Sequence, residues 1–221
     1  MTQPPTSLEA LRDRAMALVA GDRRAILGIA GPPGAGKSTL ARAVADAVDA
    51  VRPGWAAYVP MDGFHLADVQ LARLGLLDRK GAPETFDVDG YAVLLERLRA
   101  DDEPVVYAPG FERDIVDQPI AARIAVLKAA RLIVTEGNYL LASDRGWPRV
   151  RAALDETWYC DLGDAARVER LVARHVQFGK PPADARRWVL RSDEANAALV
   201  ADSRHGADLV VEMASFPAHC A

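Results

Sequence analysis

The sequence has two cysteines and no long hydrophobic run. Cys160 and Cys220 are the only cysteines in 221 residues, and their spacing suits neither a disulfide framework nor a zinc site. No stretch approaches the roughly 20 apolar residues of a membrane-spanning helix, and the N-terminus lacks the basic and apolar regions of a secretory signal. We therefore expect a cytoplasmic protein that is neither exported nor embedded in a membrane.

The chain also lacks an excess of basic residues. It has 27 Lys and Arg against 31 Asp and Glu, and the basic residues are scattered among acidic ones. A nucleic-acid-binding surface needs a stripe of Lys and Arg along the phosphate backbone, so we expect no nucleic-acid partner. The composition is half hydrophobic and about a quarter charged, which is typical of a globular protein. The length predicts a single domain over residues 1–221.

One octet has the pattern of a phosphate-binding loop. Residues 31–38 read GPPGAGKS, which fits GxxxxGK[ST]. An apolar, strand-like run at 25–30 precedes the octet, and a helix-like run at 39–48 follows it. A Gly-Pro turn before a surface helix is the alternative. The order of strand, loop and helix favours nucleotide binding over that alternative.

Each part of the octet has a chemical role in holding phosphate. Glycines allow backbone N–H groups to turn inward around phosphate oxygens, and the following helix N-terminus adds partial positive charge. Lys37 can reach the β- and γ-phosphates, and the Ser38 hydroxyl can bind Mg²⁺. The predicted nucleotide-binding residues are Gly31, Pro32, Pro33, Gly34, Ala35, Gly36, Lys37, Ser38 and Thr39.

The alternation of strand-like and helix-like runs predicts an α/β fold. Thr6 and Glu9 have the spacing of a capping box, which opens a helix through about Val19. Asp87 is suited to cap another helix. Helices are also predicted at 164–178 and 182–201, core strands at 24–30, 55–60, 130–135, 156–161 and 207–212, and a short strand-like piece at 104–107. This order indicates a three-layer α/β/α fold with a five-stranded, mainly parallel sheet.

Three carboxylates follow predicted strands, at the edge of the sheet where ligands bind. We interpret Asp62 as a catalytic base for phosphoryl transfer to an alcohol; the alternative is a turn aspartate favoured by Gly63. Glu136 is predicted to hold Mg²⁺ together with Ser38, or else to cap the next segment. Asp161 is predicted to be structural.

The helix at 164–178 carries a group of arginines that suggests a lid. Arg170 and Arg174 are spaced i and i+4 and share one helix face, and Arg167 lies one turn earlier. Arginines brought in on closure can stabilise charge on a transferring phosphoryl group. We therefore consider Arg170 and Arg174 as catalytic residues beside Lys37. A solvated helix face is the alternative for each arginine.

Several motifs resemble a known group of enzymes. Their sequences are GPPGAGKST at 31–39, MDGFHL at 61–66, RKGAPETFD at 79–87, YAPGFER at 107–113, EGNYLL at 136–141 and SDEAN at 192–196. The chain resembles the P-loop small-molecule kinases that include uridine kinase, phosphoribulokinase and type I pantothenate kinase. It resembles in particular the bacterial nucleoside/nucleotide-kinase-like proteins described as fructose-transport-system kinases.

The resemblance implies a P-loop NTPase fold with a small acceptor-binding insertion at about 62–120 and helical lid segments at about 164–200. It implies ATP and Mg²⁺ as cofactors. It also implies that Lys80, Tyr107 and Arg113 line the acceptor pocket and that Asn196 lies on the lid side. His65 either binds substrate or packs beside Phe64; the sequence leaves both alternatives open.

The leading hypothesis is an ATP-dependent kinase that phosphorylates a hydroxyl of a small polar metabolite, such as a nucleoside, a pantothenate-like compound, or a sugar or polyol. The alternative is a regulatory nucleotide switch without a metabolite acceptor. The sequence has neither the Asn-Lys-x-Asp tetrapeptide that reads guanine nor the Leu-Ser-Gly-Gly-Gln transporter signature. The oligomeric state stays open, with a homodimer as the alternative to a monomer.

Overall fold

The computed structural model describes residues 7–19, 21, 23–113 and 117–216. Cys220 and Thr6 lie outside these ranges, so the predicted capping box at Thr6 has no structural counterpart to compare. Within the described residues the first helix begins at Leu8, and Ser7 is its N-cap. The Ser7 side-chain oxygen accepts a hydrogen bond from the Ala10 N–H at 3.2 Å.

Within the described ranges, seven strands form two separate sheets. They are β1 (Ala25–Ala30), β2 (Ala56–Pro60), β3 (Val105–Glu112), β4 (Gln118–Leu127), β5 (Leu132–Gly137), β6 (Glu156–Asp161) and β7 (Leu209–Glu212). The main sheet has five strands in the order β2-β5-β1-β6-β7, and every neighbouring pair is parallel. The predicted five-stranded sheet is therefore confirmed, and it is parallel throughout.

Helices cover both faces of the main sheet. They are α1 (Leu8–Ala17), α2 (Lys37–Val51), α3 (Asp68–Leu74), α4 (Val88–Ala100), α5 (Trp147–Ala152), α6 (Asp164–Gln177), α7 (Pro182–Trp188) and α8 (Glu194–Ala201). Side chains of β1 alternate between two hydrophobic cores: Ile26 packs with residues of α4 and α5, whereas Leu27 and Ile29 pack with residues of α1 and α2. In the described part of the chain, no helix combines the length and apolar character needed to cross a membrane.

The second sheet is an antiparallel ribbon of β3 and β4, which the sequence analysis missed in part. The prediction placed a short strand at 104–107 and none at β4. Most residues of β4 are exposed, and the strand includes several alanines, which have low β-propensity. The alternation of apolar and polar residues that identifies a half-buried strand is therefore absent from β4.

The helical region after α6 is also more divided than predicted. The sequence predicts one helix at 182–201, whereas the chain forms α7, a π-helical turn at Val189–Asp193, and then α8. A π-turn needs no glycine or proline and keeps helical backbone angles, so it leaves no local signal in the sequence. Such turns are frequent at functional sites.

A buried arginine joins the main sheet to α4 and the ribbon. The Arg24 side chain is 1% exposed, and its guanidinium donates to the carbonyl oxygens of Ala130 and Leu98 at 2.8 Å each. It also pairs with a carboxylate oxygen of Asp101 at 2.7 Å. Burial lowers the pKa of Arg24, and the negative charge of Asp101 opposes that shift.

We expect Arg24→Met to lower the free energy of unfolding by about 3 kcal/mol. The substitution removes one partner of a buried ion pair and the hydrogen bonds to the carbonyl oxygens of Ala130, Leu98 and, in β4, Leu127. Urea denaturation followed by circular dichroism measures this change. Arg97→Met is the matched control, since Arg97 pairs with Glu103 at the exposed surface. Equal denaturation midpoints for the two variants would show that Arg24 does not hold these elements together.

Candidate functional site

The phosphate-binding loop connects β1 to α2, as predicted, and its glycines have positive φ. Gly31 has φ of +147° and Gly34 has φ of +80°. A Cβ on Gly31 would also lie 2.9 Å from the carbonyl oxygen of Cys160, so the loop packs directly against β6. The Lys37 ammonium donates to the carbonyl oxygen of Pro32 at 3.0 Å, across the loop. This curved backbone ends at the first turn of α2, whose free N–H groups favour an anion.

A buried carboxylate lies beside the first turn of α2. Oε1 of Glu136 accepts hydrogen bonds from the hydroxyls of Ser38, at 3.0 Å, and Tyr58, at 2.9 Å. Burial raises the pKa of Glu136, and the negative charge of Asp62 raises it further. Burial lowers the pKa of Lys37, and the charge of Glu136 opposes that change. The two groups therefore share a poorly solvated space.

The donor atoms at this position suit a hard divalent cation. The Ser38 hydroxyl and the Glu136 carboxylate supply two converging oxygens. Among the described residues, no group of three or more His, Cys, Asp and Glu could hold a metal ion by itself. Mg²⁺ in kinase sites normally takes one or two protein oxygens and completes its octahedron with phosphates and water. The residues therefore fit Mg²⁺ bound together with a nucleotide.

Asp62 follows β2 in a 3₁₀ turn at Met61–Phe64. The turn packs closely on the ribbon, because a Cβ at Gly63 would lie 2.4 Å from the carbonyl oxygen of Pro109. The Asp62 carboxylate forms an ion pair with Arg113. Burial acts to raise the pKa of Asp62, but Arg113 and the other nearby cations outweigh it, so the pKa is lowered. Asp62 is therefore an anion at neutral pH.

His65 packs against two aromatic rings and also lines the cavity, so its packing is shown and its binding of substrate stays a prediction. Its ring centroid lies 4.1 Å from that of Phe86 and 4.8 Å from that of Phe111. Nδ1 lies 2.8 Å from the carbonyl oxygen of Asp62, which can only accept a hydrogen bond. Burial lowers the pKa of His65, so the ring is neutral at neutral pH and the proton is on Nδ1.

Three of the remaining predicted acceptor-binding residues differ in their placement. Lys80 lines the cavity and pairs with Asp68 at 3.0 Å and Asp117 at 2.9 Å. Asn196 also lines the cavity, and its amide donates to the carbonyl oxygen of Gly81 at 3.4 Å. Tyr107 is 57% exposed on β3 and is not among the residues that line the cavity. The structure therefore brings Lys80 and Asn196 to the site but leaves Tyr107 outside it.

The arginines of α6 differ in their placement. Arg174 lines both the main cavity and an adjoining one, whereas Arg170 lines only the adjoining one. Arg167 is instead buried, and its guanidinium donates to the Pro33 carbonyl oxygen at 3.3 Å and to the Glu194 carboxylate at 2.7 Å. Arg167 thus connects α6 to the phosphate-binding loop and to α8.

Five of the six predicted catalytic and metal-binding residues line one cavity of about 460 Å³, and Arg170 is the exception. The five are Lys37, Ser38, Asp62, Glu136 and Arg174. A second cavity of about 370 Å³ lies against Gly36, Thr39 and Arg170, with Met213 and Phe216 after β7. Of the predicted loop residues, Pro33 and Gly34 also line the main cavity.

Sequence reasoning missed several residues of the site. Tyr58 contacts Glu136, yet it reads in the sequence as an ordinary strand tyrosine. Trp188 and Asp193 line the cavity because the π-turn brings them there. Asp161, predicted to be structural, lies outside the residues that line the cavity, and its carboxylate accepts from Arg204 at 2.7 Å.

Comparisons with known proteins agree with this geometry. No family model matches the chain. The chain is 35% identical over 153 residues to an ATP-dependent kinase-like protein of Aspergillus versicolor, covering 65% of this chain and 88% of that protein. It is 31% identical over 179 residues to a protein of Schizosaccharomyces pombe named "Putative uridine kinase", covering 79% of this chain and 76% of that protein.

A solved structure is also similar to this chain, and it too is named as a kinase. The crystal structure of a "putative fructose transport system kinase" from Silicibacter sp. TM1040 is 36% identical, with a TM-score of 0.83, and the match covers 93% of this chain and 99% of that one. The fold, the residues that line the cavity and the similar proteins all indicate a P-loop kinase. The chain is an ATP-dependent kinase and belongs to the P-loop small-molecule kinases of the uridine kinase and pantothenate kinase group.

Proposed function

We propose that this kinase transfers the γ-phosphoryl group of ATP to a hydroxyl of a small polar metabolite. The observation that carries the proposal is the convergence of Lys37, Glu136, Asp62 and Arg174 on one cavity. A nucleoside, a pantothenate-like compound, or a sugar or polyol is the candidate acceptor. We also propose that the chain is one domain, with acceptor contacts from about 62–120 and a lid from about 164–200.

ATP binds, in this proposal, with its phosphates in the loop at 31–38 and its nucleoside in the second cavity, beside Arg170 and Phe216. Lys37 exchanges the Pro32 carbonyl oxygen for phosphate oxygens, which are stronger partners for an ammonium group. Ser38 and Glu136 would hold Mg²⁺, which would neutralise charge on the phosphates of ATP. Tyr58 orients Glu136 through its hydrogen bond.

In the proposal, Asp62 acts on the acceptor hydroxyl, on the side of the γ-phosphoryl group that is opposite to ADP. Its carboxylate accepts the hydroxyl proton as the acceptor oxygen forms a bond to the γ-phosphorus, and the bond from that phosphorus to the bridging oxygen of ADP breaks. Arg174, from the lid, stabilises the charge on the transferring group. The lowered pKa of Asp62 keeps the carboxylate ionised at neutral pH.

The alternative hypothesis is a nucleotide switch without an acceptor. It does not explain the side chains that line the acceptor part of the cavity. His65, Phe111 and Asn196 line a space next to the loop that a nucleotide alone does not need. We therefore favour the transferase.

Asp62→Asn tests the base assignment. We expect the variant to bind ATP and Mg²⁺ normally while kcat for phosphoryl transfer falls by about 10²- to 10⁴-fold, since an amide cannot accept the proton. Calorimetric titration measures binding, and ADP release in the presence of an acceptor pool measures transfer. Asp161→Asn is the matched control, because Asp161 also follows a strand of the main sheet but lies outside the cavity lining. Turnover of Asp62→Asn close to that of the control contradicts the assignment.

Tyr58→Phe tests whether the Tyr58 hydroxyl orients the Glu136 carboxylate for Mg²⁺ binding. Loss of this hydrogen bond removes the group that orients the Glu136 carboxylate, so the carboxylate is held less firmly as a metal ligand. We expect the Mg²⁺ concentration for half-maximal ATP-analogue binding to rise by about tenfold. Excess Mg²⁺ should then restore transfer to near the wild-type rate. An unchanged Mg²⁺ requirement in the binding titration would exclude this role for Tyr58.

A further inference from the structure

Two cations of the acceptor side share one aromatic ring. The Arg113 guanidinium lies 5.0 Å from the centroid of Phe111, and the Lys80 ammonium lies 5.6 Å from it. All three side chains line the main cavity. The ring face holds both cations close to the proposed base, on the wall that faces an incoming acceptor.

One carboxylate partner of the Lys80 ammonium is easily replaced. The Lys80 side chain is only 16% exposed and pairs with the buried Oδ1 of Asp68, but its other carboxylate partner, Asp117, has a side chain that is 61% exposed. Lys80 also donates to the Asp117 carbonyl oxygen at 2.6 Å. Ion pairs with solvent-exposed carboxylates contribute little to stability, because water and salt screen them. A carboxylate or phosphate of a bound molecule can therefore take the place of one of these partners at small cost.

The Arg113 guanidinium has a partner that catalysis needs. It pairs with Oδ2 of Asp62, the carboxylate proposed to accept the acceptor proton. A guanidinium on this oxygen occupies its lone pairs and makes the carboxylate a weaker base. An acceptor that brings only hydroxyls offers Arg113 no comparable partner.

We propose that Arg113 and Lys80 form a binding site for an anionic group of the acceptor, a carboxylate or a phosphate, and that this group draws Arg113 away from Asp62 when the acceptor binds. The inference rests on the proposed function of Asp62. Arg113 is then a specificity-determining residue. With no acceptor bound, Arg113 stays on Asp62 and suppresses transfer of the phosphoryl group to water.

The site implies an acceptor class. The hydroxyl must reach Asp62, and the anionic group must reach Arg113, which contacts Asp62 directly in the structure. The acceptor is therefore a compact hydroxy acid or a phosphorylated sugar or polyol. The cavity of about 460 Å³ accommodates such a molecule beside the γ-phosphate.

The first experiment measures ADP release from ATP and Mg²⁺ without any acceptor. We expect Arg113→Gln to increase this basal hydrolysis by about threefold or more, because an adjacent cation lowers a carboxylate pKa by roughly 1–3 units and its removal restores the base. Arg123→Gln is the matched control, since Arg123 pairs with Glu112 on the same ribbon and does not line the cavity.

The second experiment compares charged and neutral acceptors in pairs. Glycerate with glycerol and pantothenate with panthenol test a carboxylate; fructose 1-phosphate with fructose and uridine monophosphate with uridine test a phosphate. We expect wild-type kcat/KM to favour the charged member of at least one pair by about tenfold or more, and Arg113→Gln to remove that preference through KM. The pairs that respond distinguish carboxylate from phosphate.

The outcomes separate this inference from the proposed function. If wild type phosphorylates neutral acceptors at least as well as charged ones, and Asp62→Asn abolishes transfer, the transferase stands and the anionic site is overturned. Phosphorylation of none of the charged compounds also overturns the inference, as does unchanged basal hydrolysis in Arg113→Gln. If Asp62→Asn retains full transfer, the base assignment and this inference fail together.

Discussion

The register of three parallel strands is the constraint on which the whole site depends. Glu136 of β5 lies opposite Ile29 of β1 on one side and opposite Pro60 of β2 on the other. Because the three strands end in one row, the phosphate-binding loop, Glu136 and Asp62 emerge together at one edge of the sheet. A slip of one residue in β5 would turn Glu136 toward the opposite face and separate it from Ser38.

This convergence places ionised groups close together in a space with little water. Lys37 and Glu136 are both buried, and each shifts the pKa of the other against the effect of burial. Charges in such a space need partners, and the chain supplies temporary ones: the Pro32 carbonyl oxygen for Lys37 and Arg113 for Asp62. In the proposed mechanism, a nucleotide and an acceptor replace these partners with their own charges.

Much of this architecture is visible in the sequence, because its signals are local. The GxxxxGKS octet needs only its flanking strand and helix to be recognised, and the polar residues after apolar runs indicate the sheet edge. The pairing of Asp62 with Arg113 is different, since it joins residues 51 positions apart through a ribbon whose second strand has no apolar alternation. Arg167 is a similar case: its helical spacing matches that of Arg170 and Arg174, and only packing reveals that it is buried.

The contacts of Arg167 have a mechanical consequence for the lid. The backbone of α6 touches the phosphate-binding loop at this residue, where a Cβ on Gly34 would lie 2.8 Å from the Arg167 carbonyl oxygen. This contact and the hydrogen bond of Arg167 to Pro33 hold this part of α6 against the loop, so we expect any tilt of the helix to displace its C-terminal end most. Arg174 lies seven residues farther on, roughly 10 Å along the axis. A tilt of about 10° would therefore swing Arg174 by roughly 2 Å, enough to make or break a hydrogen bond while the loop stays still.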